Sequence, residues 1–348
     1  MNFVLCLPSC LACDIFNRWI KLQDVARLDS AFCVKSDRPT LLSLLMSAEC
    51  IIETQTKWSI FSSRHICWLL KRAVKVRYFA IGRNMCKKLG LEYMKKYGAH
   101  VTSLKRNPHF LQPDADSFGM DIIKEAYKYS RLVSLWCVNL SIPCLDDILA
   151  HCPSLQELSF SVSQRAKGEL TATKYKVFSS ITDLRLFGNS KIVLDVILRC
   201  PNLRKLNLNN MTTHLTDSNL VTIATNCRHL HSLELLEVTC SEQTYITIAT
   251  LCTDLVELNL YGSTVTDRAV ERIAVNLKQL RRLDLQRCRN LTNAALHSIA
   301  EHCASTLESL WLYQSNGNNN ITSDAVSTLR SKLPDLYVHE EHRQWVLF

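Results

Sequence analysis

Apolar positions recur along this chain in two rhythms that take turns. The first is L-x-x-L-x-L, at Leu203, Leu206, Leu208; Leu230, Leu233, Leu235; Leu255, Leu258, Leu260; Leu280, Leu283, Leu285; and Leu307, Leu310, Leu312. Upstream versions read Ile181, Leu184, Leu186, then Leu155, Leu158, Phe160, then Leu132, Leu135, Cys137. From Leu203 the blocks start 27, 25, 25 and 27 residues apart. The last two positions of each block are two apart, which is strand alternation. The second rhythm is helical and ends in a cysteine: Leu220, Ile223, Ala224, Cys227. It returns as Ile248, Ala249, Cys252, as Ile299, Ala300, Cys303, as Val196, Ile197, Cys200 and as Ile148, Leu149, Cys152. At Ile273, Ala274, Leu277 a leucine takes the cysteine's place. Each unit is therefore one short strand and one short helix, and a period of about 20–29 residues predicts a solenoid. The cysteine falls where the helix ends and the chain turns inward. That place suits a small residue that tolerates burial.

The pairs Thr216-Asp217, Thr266-Asp267 and Thr292-Asn293 open the helices, where their side chains can cap free N–H groups. The frame L/V-T-D-x-x-L/V-x-x-I-A-x-x-C/L closely resembles the cysteine-containing class of leucine-rich repeat. That class is common in F-box proteins and in the mitotic-exit antagonist family. The resemblance implies an α/β solenoid with a curved parallel sheet inside and short helices outside. Residues 132–333 are the regular repeats, 51–131 weaker and basic ones, and 334–348 a C-terminal cap with a last strand at Leu336–Val338 and Trp345, Val346, Leu347 and Phe348 over the end of the core. A helix is expected at Ile66–Arg72 and a strand through Val76, Phe79 and Ile81. Asn107–Gly119 and Ser161–Ser179 read as long loops.

Residues 1–50 do not fit the frame. Their pattern predicts helices at Cys10–Ile20, Asp24–Phe32 and Thr40–Glu49, with Asp24 and Thr40 as caps and Pro39 at a boundary. Leu7-Pro8, Ile15-Phe16, then Leu22, Asp24 and Leu28 resemble the F-box motif. The usual family Trp after the second helix is absent, and Val34–Pro39 stands there instead. The resemblance implies a Skp-type adaptor and a cullin as partners, with Leu7, Pro8, Ile15, Leu22, Val25 and Leu28 facing the adaptor. It also implies that the repeats hold a client protein and that the chain serves a ubiquitin ligase without chemistry of its own. Two alternatives stand beside it. One is a scaffold or inhibitor like the mitotic-exit antagonist family, whose N-terminal helices only cap the array. The other is a phosphate-sensing receptor that uses the basic segment.

Along each strand the residues before, between and after the core pair point to the opposite, concave face. The client-binding candidates on that face are Trp136, Arg185, Phe187, Glu234, Tyr261, Trp311 and Tyr313. Tyr261, Trp311 and Tyr313 are expected as exposed aromatic anchors near its C-terminal end.

Composition adjusts this picture. The chain is 47% hydrophobic with mean hydropathy near zero, enough for a large core. Its net charge of +9 is concentrated: residues 57–106 hold 13 Lys and Arg against Glu92, leaving the remainder net acidic. Such a segment is either a solvated face or a patch for an acidic partner, and no interleaved aromatics or known motif point to nucleic acid. Several of the 16 cysteines share one helical slot, so reduced thiols and a cytoplasmic or nuclear protein are expected. No apolar run approaches membrane-spanning length, and the apolar start contains Pro8 and lacks a basic lead-in. The sequons at Asn139, Asn210, Asn290 and Asn320 fall within the repeat frame.

No enzyme motif is visible. With 8 glycines there is neither a G-x-x-x-x-G-K nor a G-x-G-x-x-G run. Cys10-x-x-Cys13 has no second pair at zinc-site spacing, and His339 and His342 are three apart rather than four. No cofactor, metal or catalytic residue is expected.

Overall fold

A computed structural model describes residues 11–13, 15, 22–31, 38–47, 50–52, 61–82, 85–106, 115–162, 169–171, 173–174, 176–187, 191–209, 215–303, 305–313 and 320–340. The chain divides into two compact units, 1–156 and 157–348.

In the first unit, α1 (Leu22–Ala31) and α2 (Arg38–Met46) precede β1 (Ile51–Ile52), α3 (Ser63–Lys71), β2 (Lys75–Val76) and β3 (Tyr78–Ile81). Then come α4 (Lys87–Tyr97), β4 (Ser103–Arg106), α5 (Ala115–Tyr127), β5 (Ser134–Leu140) and α6 (Ile142–His151). Strands β3, β4 and β5 pair in parallel, with Phe79, Leu104 and Leu135 in register. The expected single strand through Val76 and Ile81 is split. Val76 belongs to β2, which pairs with β1, while Phe79 and Ile81 belong to β3. Phe61, Phe79, Tyr93 and Tyr97 form an aromatic chain between strand and helix, with successive centroids 5.2, 5.3 and 5.3 Å apart. Tyr93 is buried, but its hydroxyl donates to Val74 O and accepts from Val76 N, so no polar group is stranded. Lys75 is buried too. Its ammonium donates to the carbonyls of Met46 and Ser47 and so caps the end of α2.

The second unit holds β6 (Glu157–Val162), β7 (Asp183–Phe187), α7 (Lys191–Leu198), β8 (Lys205–Asn207), α8 (Asp217–Asn226), β9 (Ser232–Glu234), α9 (Glu242–Leu251), β10 (Glu257–Asn259), α10 (Asp267–Asn276), β11 (Arg282–Asp284), α11 (Asn293–His302), β12 (Ser309–Trp311), α12 (Ser323–Lys332) and β13 (Tyr337–His339). Strands β6 to β13 are all parallel and pair in chain order. One core ladder runs through Leu158, Leu184, Leu206, Leu233, Leu258, Leu283, Leu310 and Val338, all buried. Each such side chain contributes about 1.5–3 kcal/mol by leaving water.

The boundaries differ from the sequence reading in places. α1 starts at Leu22 and α2 at Arg38, which puts Pro39 inside the first turn, where its missing N–H costs nothing. Ala115–Gly119 is helical, not loop, because α5 buries Met120, Ile122, Ile123 and Ala126. Ser161 and Val162 extend β6. The predicted first helix is helical at 11–13 and 15, and the rest of it lies outside the described residues, as do Trp345–Phe348.

The repeated polar residues do more than cap their own helices. Thr216 accepts from Asn219 N, Thr266 from Ala269 N, Thr292 from Ala294 N and Thr322 from Ala325 N. The residue after each cap serves the next repeat instead. Asp217 accepts from Ser241 N (2.9 Å), Asp267 from Thr292 N (2.8 Å) and Asn293 from Thr322 N (2.9 Å). Glu242 accepts from the Thr266 hydroxyl (2.6 Å). Each helix start is thereby stitched to its successor.

The cysteine slot also gains a reason. Cys227, Cys252 and Cys303 end their helices, each with its N–H on the isoleucine carbonyl four residues back. The thiol of Cys252 points at Cys227 O and Ala224 O (3.8 Å each), and that of Cys303 at Ala274 O (3.9 Å). A buried thiol is thus a weak donor to the last carbonyls of the preceding helix, which have no partner within that helix. Leu277 fills the same slot without donating. Burial pushes the thiols of Cys200 and Cys252 up to about 12 and those of Cys227 and Cys303 up to about 11. The thiolate is the reactive species. Native Cys200, Cys227, Cys252 and Cys303 are therefore expected to react with a maleimide on the order of 100-fold more slowly than exposed Cys86. Mass spectrometry of a labelling time course reads the rates. Labelling at the Cys86 rate would show that these sites are open.

Candidate functional site

Two surfaces carry the residues singled out by the sequence. The first is the N-terminal helical module. Leu7 and Pro8 lie outside the described residues, and Leu22 is in α1 with its side chain outside them. Ile15 and Leu28 are half-buried. Val25 is corrected from an adaptor-facing to a core position, since it is fully buried within the chain. One turn later on the same helix face, Asp29 is buried as well. It accepts from Arg72 Nε (2.9 Å), Trp68 Nε1 (3.0 Å) and Arg38 Nη2 (3.4 Å), so one carboxylate ties α1 to α2 and α3. Burial alone would raise the Asp29 carboxyl. Its hydrogen bonds from Arg72 and Trp68, with the charges of Arg72 and Arg38, outweigh burial and hold it below the ordinary aspartate value. Sequence reading missed Asp29, because its partners are 9 to 43 residues away. It also missed Leu11 and Met46, which are 53% and 58% exposed.

The second surface is the outward face of the sheet. In the first unit, Lys105 lies beside Trp136 in register, and its ammonium sits 3.3 Å from the ring centroid. In the second unit the register aligns Ser159, Arg185, Asn207, Glu234, Asn259, Asp284, Trp311 and His339 in one row. Arg185 is exposed and pairs with Asp183 at 3.3 Å. The side chain of Phe187 is outside the described residues. Glu234 is half-buried and accepts from Asn207 Nδ2 (2.7 Å) and Asn209 Nδ2 (3.0 Å).

The expected exposed aromatics are mostly not exposed. Trp311 is 9% exposed, because β13 places His339 flat against it, with centroids 4.4 Å apart and planes 8° apart. Tyr261 is 7% exposed, and the Arg287 guanidinium lies 5.3 Å from its ring centroid. Tyr313 stays half-buried. A regular device explains why this face closes over. Asn207, Asn259 and Asp284 each accept the N–H two residues on, at Asn209, Tyr261 and Gln286, folding the chain back onto the sheet. Beyond β9, β10 and β11 the chain turns through a left-handed residue, Glu237, Gly262 or Arg287, of which only Gly262 adopts it without strain.

No protein-family model matches the sequence, and no curated protein matches it. Among solved structures, the chain is similar to one in the crystal structure of the Rad7 and Elc1 complex in yeast. The TM-score is 0.57 at 18% identity, over 96% of this chain and 92% of that one.

The fold is a leucine-rich repeat solenoid.

At this identity the likeness is one of fold, and it spans both units. Among the described residues, no helix is long and apolar enough to cross a membrane, and no three His, Cys, Asp or Glu side chains gather as metal ligands.

Proposed function

We propose that this protein is a non-catalytic interaction subunit of a cullin-based ubiquitin ligase. Its N-terminal module engages a Skp-type adaptor, and the outward face of the repeats holds a client protein. The observation that carries the reading is the apolar surface of that module. Leu11 and Met46 are exposed, and Ile15 and Leu28 are half-buried. Large apolar groups left in water on one small module mark a protein contact. The resemblance of this segment to an F-box supports the same partner. The similarly folded yeast chain belongs to a complex of two proteins, Rad7 and Elc1, so a protein of this fold is found with a partner. On this reading the protein works in the cytoplasm or nucleus, and its cysteines stay reduced.

A second reading is a repeat scaffold whose helices only close the end of the array. The buried Val25 and Asp29 favour it, because they show that α1 also serves the core. Mixing the purified full chain with a purified Skp-type adaptor separates the two. The ligase reading expects a 1:1 complex on size-exclusion chromatography, with Leu11, Ile15, Leu28 and Met46 protected from hydrogen exchange or footprinting. Independent elution of the two proteins leaves the scaffold.

A further inference from the structure

Helices α3 and α4 carry cations where a helix is least able to use them. Arg64 is the second residue of α3, and Lys88 is the second of α4. The first turn of a helix presents partial positive charge, which favours an acid there and disfavours a cation. Neither helix has an acid in its first turn, whereas α8, α9 and α10 open on Asp217, Glu242 and Asp267. Helix stability therefore gives no reason for Arg64 and Lys88.

The pattern returns two turns later. Lys71 and Lys95 come seven residues after Arg64 and Lys88, so each pair shares one helix face, about 10 Å apart along the axis. α3 packs against α4, and Cys86 N at the start of α4 donates to Ser63 Oγ (2.8 Å), so the two helices begin level. Packed helix axes lie about 8–10 Å apart, which puts the four cations at the corners of a patch about 10 Å on a side. All four are exposed. Among the described residues, none of the four side chains has an ion pair or a hydrogen bond. Other cations of the segment are engaged: Arg72 pairs with Asp29, Lys75 caps α2, Lys87 pairs with Asp121, and Lys96 lies over Tyr97. Glu92 is the one carboxylate on these helices. It stands between Lys88 and Lys95 and leaves the patch strongly cationic.

We propose that Arg64, Lys71, Lys88 and Lys95 form a docking surface for an acidic peptide segment of a partner protein. Its carboxylates would stand about 10 Å apart, which is seven residues on a helix or three on an extended chain. A single small anion reaches one corner only. Three of the four cations are lysines, which meet a carboxylate as point charges, and only Arg64 offers the planar fork that suits phosphate. A nucleic-acid strand also needs aromatic faces for its bases. Here Phe61, Tyr93 and Tyr97 are buried, and the Trp68 indole donates to Asp29. The surface lies on the helices rather than on the strands, and the inference does not rest on the adaptor or client reading.

The test measures binding of the full chain to a fluorescent peptide about 15 residues long, with Glu at every third position, in about 0.15 M salt. A peptide with Gln in place of each Glu is the neutral control. Fluorescence polarisation is expected to show saturable binding of the Glu peptide alone. Lys71→Glu with Lys95→Glu should weaken it by roughly tenfold or more. Lys278→Glu with Lys332→Glu makes the same change in net charge at exposed positions of the second unit, and should alter binding less than about twofold. Arg64→Glu with Lys88→Glu should also weaken binding by roughly tenfold, while the melting temperature holds or rises, because an acid suits a first turn. No saturable binding, equal binding of the Gln peptide, or equal loss in the Lys278 and Lys332 pair overturns the surface. So does a fall in melting temperature in the Arg64 and Lys88 pair, which would assign these cations to the fold. Tighter binding of a DNA duplex of similar charge overturns the acidic peptide as occupant.

Discussion

Replacing Asp29 by alanine is expected to lower the folding stability of the first unit by about 3 kcal/mol, the lower end for breaking a buried ion pair. Three donors converge on this carboxylate from α2, from α3 and from Arg72 just beyond it. Removing it leaves two guanidinium groups and an indole N–H without their shared acceptor. The value sits at the lower end because Arg38 and Arg72 keep about a quarter of their side chains in water. Denaturant unfolding followed by tryptophan emission reads the loss, and a midpoint equal to wild type would remove Asp29 as an anchor. The effect also depends on pH, with a definite sign. The folded Asp29 carboxyl is held below its unfolded value, so its contribution is fully present above about pH 4–5 and fades as pH falls through the lowered folded value. Wild type should therefore lose its advantage over Asp29→Ala in acid, and the two unfolding midpoints should converge there.

One residue earlier on α1, the expectation reverses. Leu28→Asp should abolish capture of a Skp-type adaptor and leave the melting temperature nearly unchanged. Leu28 is half-buried in the isolated chain, so a carboxylate there can reach water. Under an adaptor it could not. The contact would lose the burial of one aliphatic side chain, about 1.5–3 kcal/mol, and would also trap an unpaired charge. Ile15→Asp should behave alike. Co-purification with the adaptor, paired with a thermal melt of the same variant, decides the matter. Normal capture by folded Leu28→Asp would end the adaptor reading. The neighbouring pair Leu28 and Asp29 thus separates binding from folding within one helical turn.

The repeats were legible in the sequence because their causes are local. Leu206 and Leu208 are two apart on a strand, and Cys227 follows Ala224 and Ile223 by three and four positions on a helix. Both spacings are set by backbone geometry alone. Helix α5 was not legible because its buried residues, Met120, Ile122, Ile123 and Ala126, lack the Ile-Ala ending and follow a proline-containing stretch. The split between β2 and β3 was hidden because it depends on Ile51 and Ile52, more than twenty residues upstream. On the outward face, alternation correctly gave the side on which Trp311 and Tyr261 lie. It could not give their exposure, which depends on His339 and Arg287 from other repeats and on the fold-back after each strand.

The stitched helix starts give the array a direction. Each acceptor, Asp217, Glu242, Asp267 or Asn293, reaches toward the C-terminal neighbour, so each repeat from α9 to α11 carries one half of two different joints. A repeat is therefore not a free-standing brick. Moved, inverted or deleted alone, it leaves an unmatched acceptor on one side and an unmatched cap on the other. An exchange between repeats keeps the line unbroken only when it is cut within a strand–helix unit and carries a whole joint across. The lengths this array can take in its lineage are accordingly counted in joints, and its N-terminal and C-terminal ends are not interchangeable.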